Sequence, residues 1–240
     1  MRFYKFFISI FLIFTMCFYI TTPVFSEETT YVWSPNNNSL NDSTNDNSSQ
    51  VKETNSKVDE SNSLSLESGS AILIEQTTGQ VLYSHNAHEQ LRPASVTKVM
   101  SILLIMEALD SNKISLTDSV PCSENAASMG GSQIWLDPRE TLTVDEMLKA
   151  ICVNSANDCV VAMSEFIAGS EEAFVQLMND KAKELGMNDT CFKNCHGLDE
   201  DGHVTSAYDI SLMSRELLNN HPSVTNYTTI WTDTLRNRKI

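Results

Sequence analysis

The chain has 240 residues, 41% of them hydrophobic, with 31 acidic against 16 basic side chains and a formal net charge of −15. That is enough apolar material for one large domain or two small ones. The charge argues against a nucleic-acid binder, which needs clustered Lys and Arg to neutralise phosphates; acidity of this kind mainly gives solubility.

Residues 1–26 combine a positive start (Arg2, Lys5), an uncharged run from Phe6 to Ile20, and Val24 and Ser26 at the −3 and −1 positions before Glu27. This predicts a secretory signal peptide; the run is short for a membrane span and is diluted by Thr15, Thr21 and Thr22. Cys17 lacks the small residues that precede a lipidation site. Of the six cysteines, removal of Cys17 leaves Cys122, Cys152, Cys159, Cys191 and Cys195. An odd number cannot all pair within one chain, which argues against a disulfide framework despite export.

Residues 27–67 are mostly Asn, Ser, Thr, Asp and Glu, as in Asn36-Asn37-Asn38-Ser39. Such a segment buries too little apolar surface to offset its ordering entropy and is predicted to be a disordered tether. The folded part is expected from Ser68 to Ile240. Ala71–Ile74 and Val81–Tyr83 flank Gln76-Thr77-Thr78-Gly79-Gln80 and read as a hairpin with Gly79 at the position needing positive φ.

Arg92-Pro93-Ala94-Ser95-Val96-Thr97-Lys98-Val99-Met100 then runs into Ser101-Ile102-Leu103-Leu104-Ile105-Met106. Pro93 suits a helix entrance, which puts Ser95 in the first turn and Lys98 on the same face. The following ten residues show no polar face, the mark of a helix buried on all sides. A serine hydroxyl becomes a nucleophile when a neighbouring base takes its proton, and burial can keep a lysine neutral for that task.

After Asp110-Ser111-Asn112, residues 119–141 read as a long irregular stretch carrying Met129-Gly130-Gly131-Ser132. Thr143-Val144-Asp145-Glu146 is a capping box opening a helix through Cys152. Val153-Asn154-Ser155-Ala156-Asn157-Asp158 interrupts it before helical spacing resumes from Cys159 to Ala168, so Ser155 and Asn157 sit at a break where they can enter a cleft. Ser170 caps a further helix with Phe174, Leu177, Met178, Ala182 and Leu185 on one face, stopped by Gly186. Residues 188–204 form a loop, a last helix begins at Thr205, and Val224–Leu235 reads as extended.

Ser-x-x-Lys alone carries little, since Ser49-Gln50-Val51-Lys52 occurs within the tether. The pair in this order and context carries more. Pro93-Ala94-Ser95-Val96-Thr97-Lys98-Val99-Met100 followed by Ser155-Ala156-Asn157-Asp158 resembles the penicillin-binding D-alanyl-D-alanine carboxypeptidases, low-molecular-mass serine peptidases of bacterial cell walls. Gly130-Gly131-Ser132, Leu185-Gly186-Met187, and His196-Gly197-Leu198 before Thr205-Ser206-Ala207-Tyr208-Asp209 match as well. The resemblance runs from about Ser68 to Leu218.

It implies an α+β, DD-peptidase/β-lactamase-like fold, a helical cluster packed on an antiparallel sheet. It also implies that Ser95 forms an acyl-enzyme with the penultimate D-Ala of a peptidoglycan stem peptide. By the same resemblance Lys98 is the base, Ser155 relays a proton to the leaving D-Ala, and Asn157 holds the substrate amide and the lysine, with Ser132 also at the substrate. β-Lactams would acylate the same serine. No metal or cofactor is expected, and no nucleic-acid partner. The place of action would be extracytoplasmic, at the cell wall or the outer face of the cytoplasmic membrane, with membrane association only through the signal segment or a missing C-terminal anchor.

One feature departs from the family. Its members carry Lys-Thr-Gly on a later sheet strand, supplying a cation for the substrate carboxylate and the second oxyanion-hole N–H, and this chain has no such tripeptide. Few strands are visible to cover the apolar Ser95 helix. The expectation is therefore an N-terminal portion of a longer enzyme, with the later strands missing, poor at binding penicillin and unstable alone. The alternatives are a non-catalytic cell-wall-binding or regulatory remnant and a β-lactamase, though residues 188–196 lack the Glu that deacylation needs. Metal binding by Cys191, Cys195, His196 and His203 fits no zinc spacing.

Overall fold

The computed structural model describes residues 66–236 and 238–239. The expected signal peptide (1–26) and nearly all of the expected tether (27–67) lie outside the described residues.

Helix α1, Lys98–Asp110, forms the centre of the core. Met100, Leu103 and Ile105 are fully buried, and so is the hydroxyl-bearing Ser101. With no polar face it must be covered all round, and the cover comes from α4 (Asn157–Ala168), α5 (Glu171–Glu184) and α6 (Ala207–Asn220). The shortage of cover expected from the scarcity of strands is thus not found: helices close most of the surface around α1.

The described strands form three two-stranded antiparallel sheets. Strand β1 (Ala71–Ile74) pairs with β2 (Val81–His85) in the register Ala71 to His85, with a bulge after Leu73. Gly79 takes φ +76° in the connecting turn, as expected from the sequence. Glu75 fixes that turn by accepting from the backbone of Thr77 and Thr78 at 3.0 and 2.6 Å. The hairpin lies on α6, whose Arg215 donates to the carbonyls of Gln76 and Thr77.

The 119–141 stretch is less irregular than its sequence suggests. Strand β3 (Ser119–Pro121) pairs with β4 (Thr141–Thr143), and the short helix α2 (Glu124–Ala127) lies between them. Three-residue strands are too short to show a period-2 pattern. Asp158, fully buried near the start of α4, organises the rest of this stretch: its carboxylate accepts from the backbone of Ile134, Leu136 and Cys159.

Helix α3 (Val144–Asn154) starts with the full capping box: Thr143 Oγ accepts from Glu146 N, and Glu146 accepts from Thr143 N at 2.8 Å. It ends two residues beyond the expected Cys152. Helix α5 is capped by Ser170 and buries Phe174, Met178 and Ala182, but Leu177 is exposed, since the covered stripe is narrower than the apolar one.

Val224–Leu235 is not extended throughout. Pro222 starts a 3-10 turn (Pro222–Val224) that leads into α7 (Thr225–Thr228), followed by the small hairpin β5 (Thr234–Leu235) and β6 (Arg238–Lys239). Buried Val224 and Tyr227 dictate the helical form, and the Tyr227 hydroxyl donates to Asp145 at 2.9 Å. No described helix is long and apolar enough to cross a membrane.

Replacing Asp158 by Ala removes the acceptor of three backbone donors, each costing on the order of 1–3 kcal/mol when left unsatisfied. Urea denaturation of Asp158→Ala should therefore show a loss of at least about 3 kcal/mol, and an unchanged midpoint would contradict this role.

Candidate active site

The site begins with a backbone irregularity. Pro93 has φ −77°, and Ala94 then takes φ +46°, a left-handed conformation that disfavours a Cβ. The reversal starts a 3-10 turn over Ala94–Thr97, and α1 proper begins only at Lys98, five residues after the Pro93 entrance that the sequence suggests. In 3-10 geometry residues i and i+3 eclipse each other. Lys98 Nζ accordingly lies 3.2 Å from Ser95 Oγ.

The two side chains differ sharply in exposure: Ser95 is exposed, whereas Lys98 is 4% exposed. Burial pushes the lysine amine down from 10.5 to about 8. The same amine donates to the His196 carbonyl at 2.7 Å. An accessible hydroxyl thus stands against a desolvated amine whose proton comes off more readily than from an ordinary lysine, which is the chemistry that activates a serine.

The loop carrying His196 is wired to α1. Ser101 Oγ donates to the Cys195 carbonyl at 2.6 Å. Asn194 receives Gly197 N at 2.7 Å and donates to the Leu198 carbonyl at 2.9 Å. Gly197 has φ +93°, and a Cβ there would fall 1.9 Å from the Ala94 carbonyl oxygen. Only glycine lets the loop come this close to the Ser95 turn.

The Ser155–Asn157 break is also built as the sequence suggests. Ser155 ends α3 in a left-handed conformation, φ +54°, and is half-buried. Asn157 opens α4 and is buried. Its backbone N–H donates to the Ser132 carbonyl at 2.7 Å, which ties the start of α4 to the Gly130–Ser132 segment. The Asn157 side-chain amide donates to the Gly130 carbonyl at 2.7 Å, while its Oδ1 is buried without a partner. Gly131 takes φ +76°, and a Cβ there would sit 2.8 Å from Asn157 Nδ2 and 3.4 Å from Leu198 Cδ2. Ser132 itself is exposed.

The structure therefore joins Ser95 to Lys98 and Asn157 to Ser132. The amine's hydrogen bonds go to Ser95 and His196, and the amide of Asn157 goes to Gly130. Sequence reasoning gave no role to Ser101, Gly197 or the His196 carbonyl. His196-Gly197-Leu198 was legible as a motif, but a backbone acceptor leaves no mark on residue type.

The side chains of Cys195, His196 and His203 in the 191–203 loop are spent on protein partners. His203 Nδ1 accepts from Lys193 N at 3.0 Å, so its Nε2 donates to Thr97 Oγ at 2.8 Å. His196 Nδ1 accepts from Leu198 N, with Nε2 facing Glu171 at 3.4 Å. Burial pushes the imidazolium of His196 down against the pull of Glu171. Cys195 Sγ lies 3.4 Å from the same carboxylate, and burial pushes its thiol up. Among the described residues no three His, Cys, Asp or Glu side chains group to hold a metal, and all five cysteines are unpaired.

The arrangement of helices and small sheets is that of the penicillin-binding DD-peptidases. Penicillin-binding protein 6B from Escherichia coli superposes with a TM-score of 0.69 at 33% identity, over 72% of this chain and 56% of that one. Penicillin-binding protein D2 from Listeria monocytogenes, solved in its ampicillin-bound form, gives 0.65 at 29% identity, over 74% of this chain and 72% of that one.

The sequence profile described as D-alanyl-D-alanine carboxypeptidase matches residues 53–240, and the chain belongs to that family. The D-alanyl-D-alanine carboxypeptidase DacF of Bacillus subtilis is 58% identical over 170 residues, which is 71% of this chain and 43% of the relative. The chain matches less than half the length of that relative.

Gly197→Ala should force the 195–198 loop away from Ala94, through both the clash and the left-handed φ, at a cost of about 2–4 kcal/mol. Thermal or urea denaturation would measure it; an unmoved midpoint would mean that the loop shifts freely.

Proposed function

We propose that the chain carries the acylation machinery of a serine-type, penicillin-sensitive D-Ala-D-Ala carboxypeptidase. The observation that carries this reading is the Lys98 amine, desolvated and 3.2 Å from the exposed Ser95 hydroxyl. The neutral amine takes the Ser95 proton as Oγ attacks the carbonyl of the penultimate D-Ala; the tetrahedral intermediate collapses with loss of the terminal D-Ala, and water then releases the shortened stem peptide. Ser155 is assigned to relay a proton to the leaving amine, and Asn157 and Ser132 to hold the substrate. The buried, unpartnered Oδ1 of Asn157 supports a role for that residue in binding a donor. The backbone N–H of Ser95 is assigned one half of the oxyanion hole.

We further infer that residues 68–240 form the catalytic portion, exported behind the signal segment and acting on peptidoglycan outside the cytoplasm. β-Lactams are the expected inhibitors, in keeping with the ampicillin-bound form of the Listeria protein. A second reading is a non-catalytic remnant that keeps the helices without the reaction. Acylation of Ser95 separates the first reading from the second.

Long incubation with labelled penicillin should modify Ser95, seen as a mass shift on its peptide, and Ser95→Ala should take up no label. Absence of label on the parent chain even after long exposure would favour the remnant.

The rate should also rise with pH. Only the unprotonated amine accepts the serine proton, and with a pKa of about 8 its neutral fraction grows through that value, so acylation should be half-maximal near pH 8. A rate flat from about pH 6 to 9 would rule out Lys98 as the base.

A further inference from the structure

The turn at residues 134–136 is clamped by two charged side chains. Asp158 accepts from the backbone of Ile134 at 3.1 Å and of Leu136 at 3.0 Å. The Arg236 guanidinium donates to the carbonyls of Ile134 and Trp135 and is itself held by Glu140 at 2.7 Å. Ile134 and Leu136 are both 5% exposed, whereas Trp135 between them is 71% exposed with φ +55°. A bulky residue adopts such a backbone rarely, and only where its surroundings over-determine it. Stability alone would favour Gly or Asn at this position.

The clamp is continuous with the candidate active site. Asp158 directly follows Asn157 at the start of α4, and Trp135 lies three residues beyond Ser132, a chain distance of at most about 10 Å. Trp135 is the exposed large apolar side chain of this turn. A tryptophan offers about 150–250 Å², far below the roughly 1,000 Å² that a specific protein interface needs. Two and four residues further along the chain come the half-buried Asp137 and the exposed Arg139, paired at 2.8 Å, with the remaining guanidinium N–H groups facing outward as donors. A flat ring carried on a clamped backbone, with hydrogen-bonding groups close along the chain, matches the C–H face of a pyranose, whose hydroxyl and acetamido groups need hydrogen-bonding partners.

We propose that Trp135 is a sugar-binding platform beside the cleft, stacking on an N-acetylated amino sugar of the glycan strand that bears the stem peptide. This rests on the carboxypeptidase reading and narrows its substrate to glycan-borne stem peptides. One aromatic stack is worth roughly a three- to tenfold gain in affinity.

The test uses the full chain as Ser95→Ala, so that bound peptide is not turned over. Its affinity for a muramyl disaccharide-pentapeptide is compared with that for the same pentapeptide without sugar. The disaccharide form should bind roughly three- to tenfold more tightly; Trp135→Ala should erase that preference, and Trp135→Phe should keep most of it. Equal affinities in the parent, or a preference that survives Trp135→Ala, would overturn the sugar contact while leaving the carboxypeptidase reading intact. Failure to bind either peptide, together with no penicillin label on the chain that retains Ser95, would overturn both. Trp135→Gly adds a check on folding: it should raise the melting temperature by relieving the left-handed backbone, and a lowered one would make Trp135 a structural residue and overturn the proposal.

Discussion

The structure depends on one desolvated amine. Lys98 opens a helix with no polar face, so its Nζ cannot stay hydrated and must find its partners inside the protein. Two neighbours supply them, the Ser95 hydroxyl and the His196 carbonyl. The first requires the 3-10 turn at Ala94–Thr97, and the second requires a loop pressed against that turn. Gly197 permits the approach and the Ser101 hydroxyl fixes it. Any change that let water back beneath α1 would return the amine toward its ordinary value and leave it charged.

Backbone strain is present both at the Ser95 turn and at the Ser155 break. Ala94 and Ser155 are non-glycine residues in left-handed conformations, each at a cost of roughly 1–2 kcal/mol. Gly131 and Gly197 meet the same demand without a Cβ. The tight, fully buried packing of Met100, Leu103 and Ile105 against the surrounding helices offsets such local costs. A rigid core thus holds side chains in positions that a relaxed chain would leave.

Much of this was legible in the sequence, and for definite reasons. The capping box at Thr143 and Glu146, the stop at Gly186 and the apolar run after Lys98 each follow from local chemistry, and each appears close to its expected place. The Ser95–Lys98 pairing was legible from spacing, although the turn that delivers it is 3-10 and not α. What stayed hidden depends on contacts distant along the chain. Three-residue strands such as β3 and β4 carry no periodic signal. Asp158 reads as one more acidic residue until the backbone of Ile134 and Leu136 is seen to converge on it. The segment after Pro222 reads as extended because its helical turns are short and their buried partners lie far back in the chain, as with Tyr227 and Asp145.

The all-round burial of α1 also governs how the protein must be made. The helices that cover it, α4, α5 and α6, run from residue 157 to residue 220, so α1 is complete long before its cover exists. At ordinary rates of synthesis the gap is on the order of ten seconds. Throughout that interval a thirteen-residue helix with no soluble side is a ready nucleus for aggregation. Long-range contacts of this kind fold slowly, so the apolar α1 segment stays vulnerable until α6 arrives.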